Sequence, residues 1–243
     1  FCRDVVDGKT KNRKLDFLDS GRCNICAFIF SQRTHIFKFT IFRFYNYRYI
    51  WIFSMEKTLE QHPSNCIKVV LFGPESTGKT TLSKALAEHY GTHWVAEYAR
   101  DYLQNKWDVE QKTCERSDLL PIAMGQMQLE NAAAAKTNEL LFCDTNLLET
   151  KVYSEVYYDG YCDPIINHYA NKNCYNLYFL CDIDVPWVAD DLRDKPNARK
   201  KMFSAFEGAL QKHELPYVIL SGSKTERLKN AVNHINQLLI PTI

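Results

Sequence analysis

No methionine precedes Met55, and no acidic residue lies between Asp19 and Met55. Residues 27–53 hold eleven aromatic side chains, but Arg33, Lys38, Arg43 and Arg48 interrupt them. That spacing excludes an uninterrupted apolar run long enough to span a bilayer. A secretory leader is excluded too, because no short apolar core ends in a small-residue cleavage site. Met55 is therefore expected to be the true start, with residues 1–54 a non-native or disordered upstream segment and residues 55–243 the functional domain. The alternative is a real extension that binds a membrane surface or nucleic acid. Close cysteine pairs are also scarce: of nine cysteines, only Cys23 and Cys26 stand at metal-ligand spacing, with no second pair and no histidine pair to complete a site. Scattered thiols in an odd number fit a reduced, cytosolic protein. Finally, residues 55–243 lack any basic excess, with twenty Lys and Arg against twenty-five Asp and Glu. A mildly acidic body argues against general nucleic-acid binding, which needs a basic footprint. No membrane partner is expected, and the oligomeric state is left open.

What is present is a phosphate-binding pattern. Gly73-Pro74-Glu75-Ser76-Thr77-Gly78-Lys79-Thr80 satisfies G-x-x-x-x-G-K-[ST] at every fixed position. The apolar run Ile67 to Phe72 precedes it as a strand, and Thr81 to Tyr90 follows with helical spacing, ended by Gly91. Strand, loop and helix N-terminus together make a concave anion site of backbone N–H groups. Gly73, Glu75, Ser76, Thr77, Gly78 and Thr81 are accordingly assigned to the nucleotide, with Lys79 placed for the β/γ-phosphates and Thr80 for Mg²⁺.

Downstream, strand-like and helix-like runs alternate, the signature of a parallel sheet covered on both faces. Strands are expected at 67–72, 93–97, 139–144, 176–182 and 217–221. Helices are expected at 79–90, 98–106, 118–137, 147–158, 163–171, 197–213 and 224–239. The fold class is therefore α/β: a P-loop NTPase with a five-stranded parallel sheet, of the nucleoside- and nucleotide-kinase kind, with a lid.

Function in such a sheet gathers at the carboxyl ends of the strands. Asp144 ends the run Leu140-Leu141-Phe142-Cys143, where an acid either reaches the Mg²⁺ or accepts the proton of an attacking hydroxyl. The plainer alternative is a cap for the next helix. Glu97, Tyr98 and Arg100 follow the second strand and face the acceptor side: Arg100 suits a phosphate or carboxylate, and Glu97 suits ribose hydroxyls or a cationic ring. A surface pair of Glu97 with Arg100 is the alternative. Gln126 either reads a substrate amide or, more plainly, packs in the core or faces solvent. After the fourth strand, Trp187 to Lys201 has the character of a lid, in which Arg193 is expected to close over the transferring phosphoryl group. Tyr153, Tyr157 and Tyr158 stand at helical spacing as wall and core.

Four of these segments together resemble one family. Gly73 to Thr80, Glu97-Tyr98-Ala99-Arg100, Asp144-Thr145-Asn146 with Thr150, and Pro186 to Arg193 are similar, in order and spacing, to the ribosylnicotinamide kinase domain of NadR-type proteins. The similarity spans essentially residues 66–240. It implies ATP- and Mg²⁺-dependent phosphorylation of the 5′-hydroxyl of nicotinamide riboside, within NAD salvage, and a substrate contact at Asn146. The family's better-known members have Asp where this chain has Asn146. Longer members carry an adenylyltransferase domain marked by H-x-G-H, which none of the seven histidines here forms, so adenylyl transfer is not expected. Two other readings stay open: a P-loop kinase of another nucleoside, and a non-catalytic ATP-binding regulatory domain.

Overall fold

A computed structural model describes residues 57–188 and 198–240, together with the backbone of two short strands near the N-terminus. The chain divides into two compact units, Phe1–Trp51 and Ile52–Ile243. In the first, Val5–Val6 pairs antiparallel with Lys9–Thr10.

The second unit is built on a parallel sheet. Its strands are β1 (Ile67–Phe72), β2 (His93–Val95), β3 (Leu140–Asp144), β4 (Leu177–Cys181) and β5 (Tyr217–Leu220), in the spatial order β2-β3-β1-β4-β5. β3 and β4 are buried at every residue and β1 at all but Ile67, which is why they read as unbroken apolar runs. Lys68 alone breaks the run in β1. Its ammonium is buried against Glu130 at 3.0 Å, and Glu130 also accepts the Tyr175 hydroxyl at 2.7 Å and the Gln61 amide at 2.7 Å. A fully partnered charge is tolerated where a lone one would not be.

From the phosphate loop onward, seven described helices join and cover the strands: α1 (Lys79–Tyr90), α2 (Tyr98–Glu110), α3 (Arg116–Ala134), α4 (Leu147–Tyr157), α5 (Pro164–Lys172), α6 (Arg199–Lys212) and α7 (Lys224–Leu239). Because successive strand residues point to opposite faces, the core splits in two. Val70, Phe72, Leu141, Cys143, Tyr178 and Leu180 meet Leu148 and Val152 of α4 and Met202, Phe206 and Leu210 of α6. Val69, Leu71, Phe142 and Phe179 meet Leu82 and Leu86 of α1 and Ala231 and Ile235 of α7. A third cluster, with Leu119, Met127, Leu147 and Ile166, packs α3, α4 and α5 together.

Element ends differ from the sequence expectation where a side chain takes over the backbone. β2 stops at Val95 rather than residue 97, because Gln126 of α3 holds the turn that follows. α3 starts two residues early, at Arg116, since Glu115 and Asp118 form a reciprocal capping box. α2 runs four residues further than expected, to Glu110, and closes on Gln111 in the left-handed region.

Candidate active site

The loop between β1 and α1 is folded by its own glycines. Gly73 lies at φ +129°, and a Cβ there would come within 3.0 Å of the Cys181 carbonyl oxygen. Gly78 caps α1 at φ +84°, in the left-handed region that favours glycine. Inside the loop, the Thr77 hydroxyl donates to the Pro74 carbonyl at 2.7 Å. Lys79, the first residue of α1, turns its ammonium back into the loop and donates to the carbonyls of Gly73 at 2.7 Å and Pro74 at 3.1 Å.

β3 runs beside β1 with Asp144 level with Leu71, and the Thr145 N–H extends that pairing by donating to the Leu71 carbonyl at 3.1 Å. The register therefore delivers Asp144 to the rim of the loop. Its carboxylate is wholly buried, and among the described residues neither oxygen accepts a hydrogen bond. Burial first, then the charge of Glu97, pushes its pKa up to about 6, against the pull of Lys79, the nearby Thr80 hydroxyl and Lys84.

Glu149, a residue that sequence reasoning passed over, completes the group. It stands in the first turn of α4, is 3% exposed, and faces the Lys79 ammonium at 3.1 Å as an ion pair without hydrogen-bond angles. Burial raises the Glu149 pKa against the opposing pull of Lys79, and Glu97 raises it further. Burial disfavours the charge on Lys79, yet Glu149, Glu97 and Asp144 together hold its pKa above the ordinary lysine value. One lysine thus sits among three carboxylates.

These groups share one cavity of about 760 Å³. The loop from Glu75 to Thr81 forms one part of its lining, and Glu97, Arg100, Asp144 and Glu149 contribute charge. Trp94, Tyr153, Tyr157 and Tyr158 give it aromatic surface. Tyr153 links cavity and core, its ring edge-on to Phe206 with centroids 5.3 Å apart.

Three of the expected substrate contacts have intramolecular partners in the structure. Gln126 is buried, its carbonyl accepts the Tyr98 N–H at 2.8 Å and its amide donates to the Ala96 carbonyl at 3.3 Å. Both ends serve the β2–α2 turn. Tyr98 lies against α3, where a Cβ on Gly125 would strike its ring at 2.2 Å. Asn146 caps α4, accepting the Glu149 N–H at 3.2 Å and donating to the Tyr178 hydroxyl at 3.1 Å. Among the described residues, none of the three lines the cavity. The helix cap that was the alternative role for Asp144 is thus supplied by Asn146.

Arg193 lies outside the described residues. The flanking segments nevertheless dock on the loop: Arg199 donates to the carbonyls of Val185 at 2.9 Å and Ser76 at 3.3 Å, and the Val188 N–H donates to the Ser76 hydroxyl at 3.1 Å. Ser76 therefore faces this segment. From the other side Arg227 of α7, 4% exposed, donates to the carbonyls of Thr77 at 2.8 Å, Asp182 at 3.1 Å and Gly222 at 3.0 Å, and pairs with Asp184. One guanidinium ties the loop to the ends of β4 and β5. Arg199 falls in the segment expected to form the lid, whereas Arg227 was not singled out from the sequence, since nothing in local spacing reports contacts this distant along the chain.

No described group of three or more His, Cys, Asp and Glu side chains gathers at metal-binding spacing. The orphaned Asp144 carboxylate beside Thr80 is instead the sparse, hard oxygen donor set that suits Mg²⁺ arriving with nucleotide phosphates. No described helix is long and apolar enough to cross a membrane.

A profile of the AAA domain family matches residues 68–227, which include the loop, Glu97, Asp144, Glu149 and Arg227. The chain belongs to that family. Among curated proteins it is 32% identical over 125 residues to the trifunctional NAD biosynthesis/regulator protein NadR of Salmonella typhimurium, covering 51% of this chain and 30% of that protein. To its Escherichia coli counterpart it is 29% identical over 152 residues, covering 62% and 37%. The chain thus spans about a third of the length of these relatives. Among solved structures, NadR protein in complex with NR superposes with a TM-score of 0.61 at 19% identity, over 74% of this chain and 52% of that one. Deoxyadenosine kinase from M. mycoides superposes at 0.53 and 16% identity, over 70% of this chain and all of that one. The fold is the parallel α/β fold of these solved structures, as the alternation of elements implied.

Proposed function

We propose that this chain is an ATP-dependent kinase of nicotinamide riboside, forming nicotinamide mononucleotide for NAD salvage. The observation that carries the reading is one cavity whose lining joins the phosphate loop to four aromatic side chains and to the carboxylates of Glu97, Asp144 and Glu149. Flat rings suit Trp94, Tyr153, Tyr157 and Tyr158, while Glu97 and its neighbouring carboxylates favour ribose hydroxyls and a cationic pyridinium ring. The similarity to NadR, one of whose structures holds NR, points the same way.

In this reading the N–H groups of Gly78 to Thr81 hold the β/γ-phosphates, and Lys79 stabilises the charge that develops on them. Thr80 and Asp144 would hold Mg²⁺, which supplies neutralisation of phosphate charge. Glu97 and Arg100 orient the acceptor so that its 5′-hydroxyl points at the γ-phosphorus, which shortens the search for a reactive geometry. The free thiols of the described cysteines suit a reducing compartment, and we place the protein in the cytosol.

The test is ADP release from ATP and Mg²⁺ with a panel of nucleosides. Nicotinamide riboside is expected to give turnover well above uridine, adenosine or no acceptor. Lys79→Ala should lower that turnover by on the order of a hundredfold, the size of one electrostatic contact made chiefly in the transition state. A faster reaction with another nucleoside would reassign the acceptor, and ADP release independent of any acceptor would reject the kinase reading.

A further inference from the structure

Lys79 serves two sides of the cavity. Its ammonium has three N–H donors. Two engage the carbonyls of Gly73 and Pro74, and the remaining side faces Glu149 at 3.1 Å. A phosphate reaching that ammonium meets a carboxylate already beside it. Two anions on one buried cation repel, and a carboxylate that yields the lysine is left in a pocket where it is 3% exposed. Glu97 and Asp144, the other acids that act on Glu149, deepen that penalty rather than relieve it.

Relief has to come from the acceptor. Glu149 lines the cavity next to Thr150 and Tyr153, and the partner that the structure shows for its carboxylate is the Lys79 ammonium. Hydroxyl donors or a ring cation delivered by an acceptor would satisfy it and release Lys79 toward the triphosphate. We propose that Glu149 makes triphosphate and acceptor binding cooperative, holding Lys79 until the acceptor engages its carboxylate. Glu149 is then a positioning residue that acts through Lys79. The inference rests on the kinase reading above, because it needs an acceptor in the cavity beside Glu149.

Linkage makes the coupling reciprocal: each ligand tightens the other by the same factor, within the range of about 5–150-fold common for coupled sites. The test uses the full chain, the nonhydrolysable analogue AMP-PNP with Mg²⁺, and nicotinamide riboside, with dissociation constants measured by calorimetry. In the wild type, saturating nicotinamide riboside should tighten AMP-PNP by about tenfold. Glu149→Gln keeps the volume and removes the charge. It should bind AMP-PNP more tightly than the wild type when no riboside is added, and gain less than about twofold from the riboside. The tighter binding is a gain that a poorly folded variant cannot imitate. If Glu149→Gln keeps the full coupling, or binds AMP-PNP more weakly than the wild type, the inference is overturned. A wild type that phosphorylates nicotinamide riboside but shows no coupling overturns it alone. A wild type that phosphorylates no nucleoside removes the kinase reading and the inference with it.

Discussion

Asp144 is the residue at which stability and chemistry pull apart. Its pKa rises from the ordinary carboxylate value of 3.8 to about 6 in the folded chain. Between those two values the folded state holds the proton more tightly than the unfolded one, so this group's contribution to stability falls as pH rises. Asp144→Asn should therefore stabilise the fold by about 1–3 kcal/mol above pH 6, a gain that fades below pH 4. Urea titrations in the presence of a chelator, at pH 4 and pH 7.5, measure it. The same variant should abolish acceptor-dependent ADP release, because the amide cannot neutralise a cation or accept a proton. Equal stability of both proteins at both pH values would show that the carboxylate is not strained by burial. Lys79, Thr80, Asp144 and Glu97 were all legible in the sequence, since each stands at a strand end or in a loop whose pattern announces phosphate. Glu149 was not. Asn146 and Glu149 are spaced as a helix capping box, which gives the acid a structural role. In the structure Asn146 does cap, but Glu149 turns toward Lys79, an arrangement visible only once β1 and β3 lie side by side.

At the level of elements, the packing of α2 on α3 sets the acceptor side of the cavity. Gly125 allows the Tyr98 ring to lie directly on α3, and Gln126 then fixes the turn that presents Glu97. Gly125→Ala places a methyl 2.2 to 2.4 Å from that ring. Overpacking of this kind costs about 1–3 kcal/mol and shifts the backbone it displaces. The expected outcome is a lower urea midpoint together with a raised KM for nicotinamide riboside, while KM for ATP stays within about twofold because the phosphate loop follows β1, which β3 separates from β2 and its turn. A KM unchanged for both substrates would mean that the turn keeps its shape without the Tyr98 contact. Helices and central strands were legible because burial on two faces and helical spacing both leave a periodic trace. Gln126 kept two readings because a buried amide that holds a turn and one that reads a ligand have the same sequence appearance.

For the molecule as a whole, we propose that the fragment comprising residues 55–243 carries both fold and activity, since the family profile and all five sheet strands fall within it. It is expected to unfold in one transition and to match the turnover of the full chain. Loss of activity on removing residues 1–54, with folding intact, would assign that segment a part in catalysis. The parallel sheet, its five strands and the phosphate loop followed from alternation and motif. The strands β2, β4 and β5 were overextended, because the residues that flank them do not differ in type from those inside them. Arg227 belongs to the least legible class, acting 150 residues from the Thr77 carbonyl it holds. Its position in chain order has a consequence for synthesis. A nascent chain emerges from the ribosome with the nucleotide-binding loop first and its brace last, after every strand of the sheet. Until α7 has docked, the loop lacks the guanidinium that fixes Thr77 to the ends of β4 and β5. Truncated translation products are therefore expected to leave cellular ATP alone.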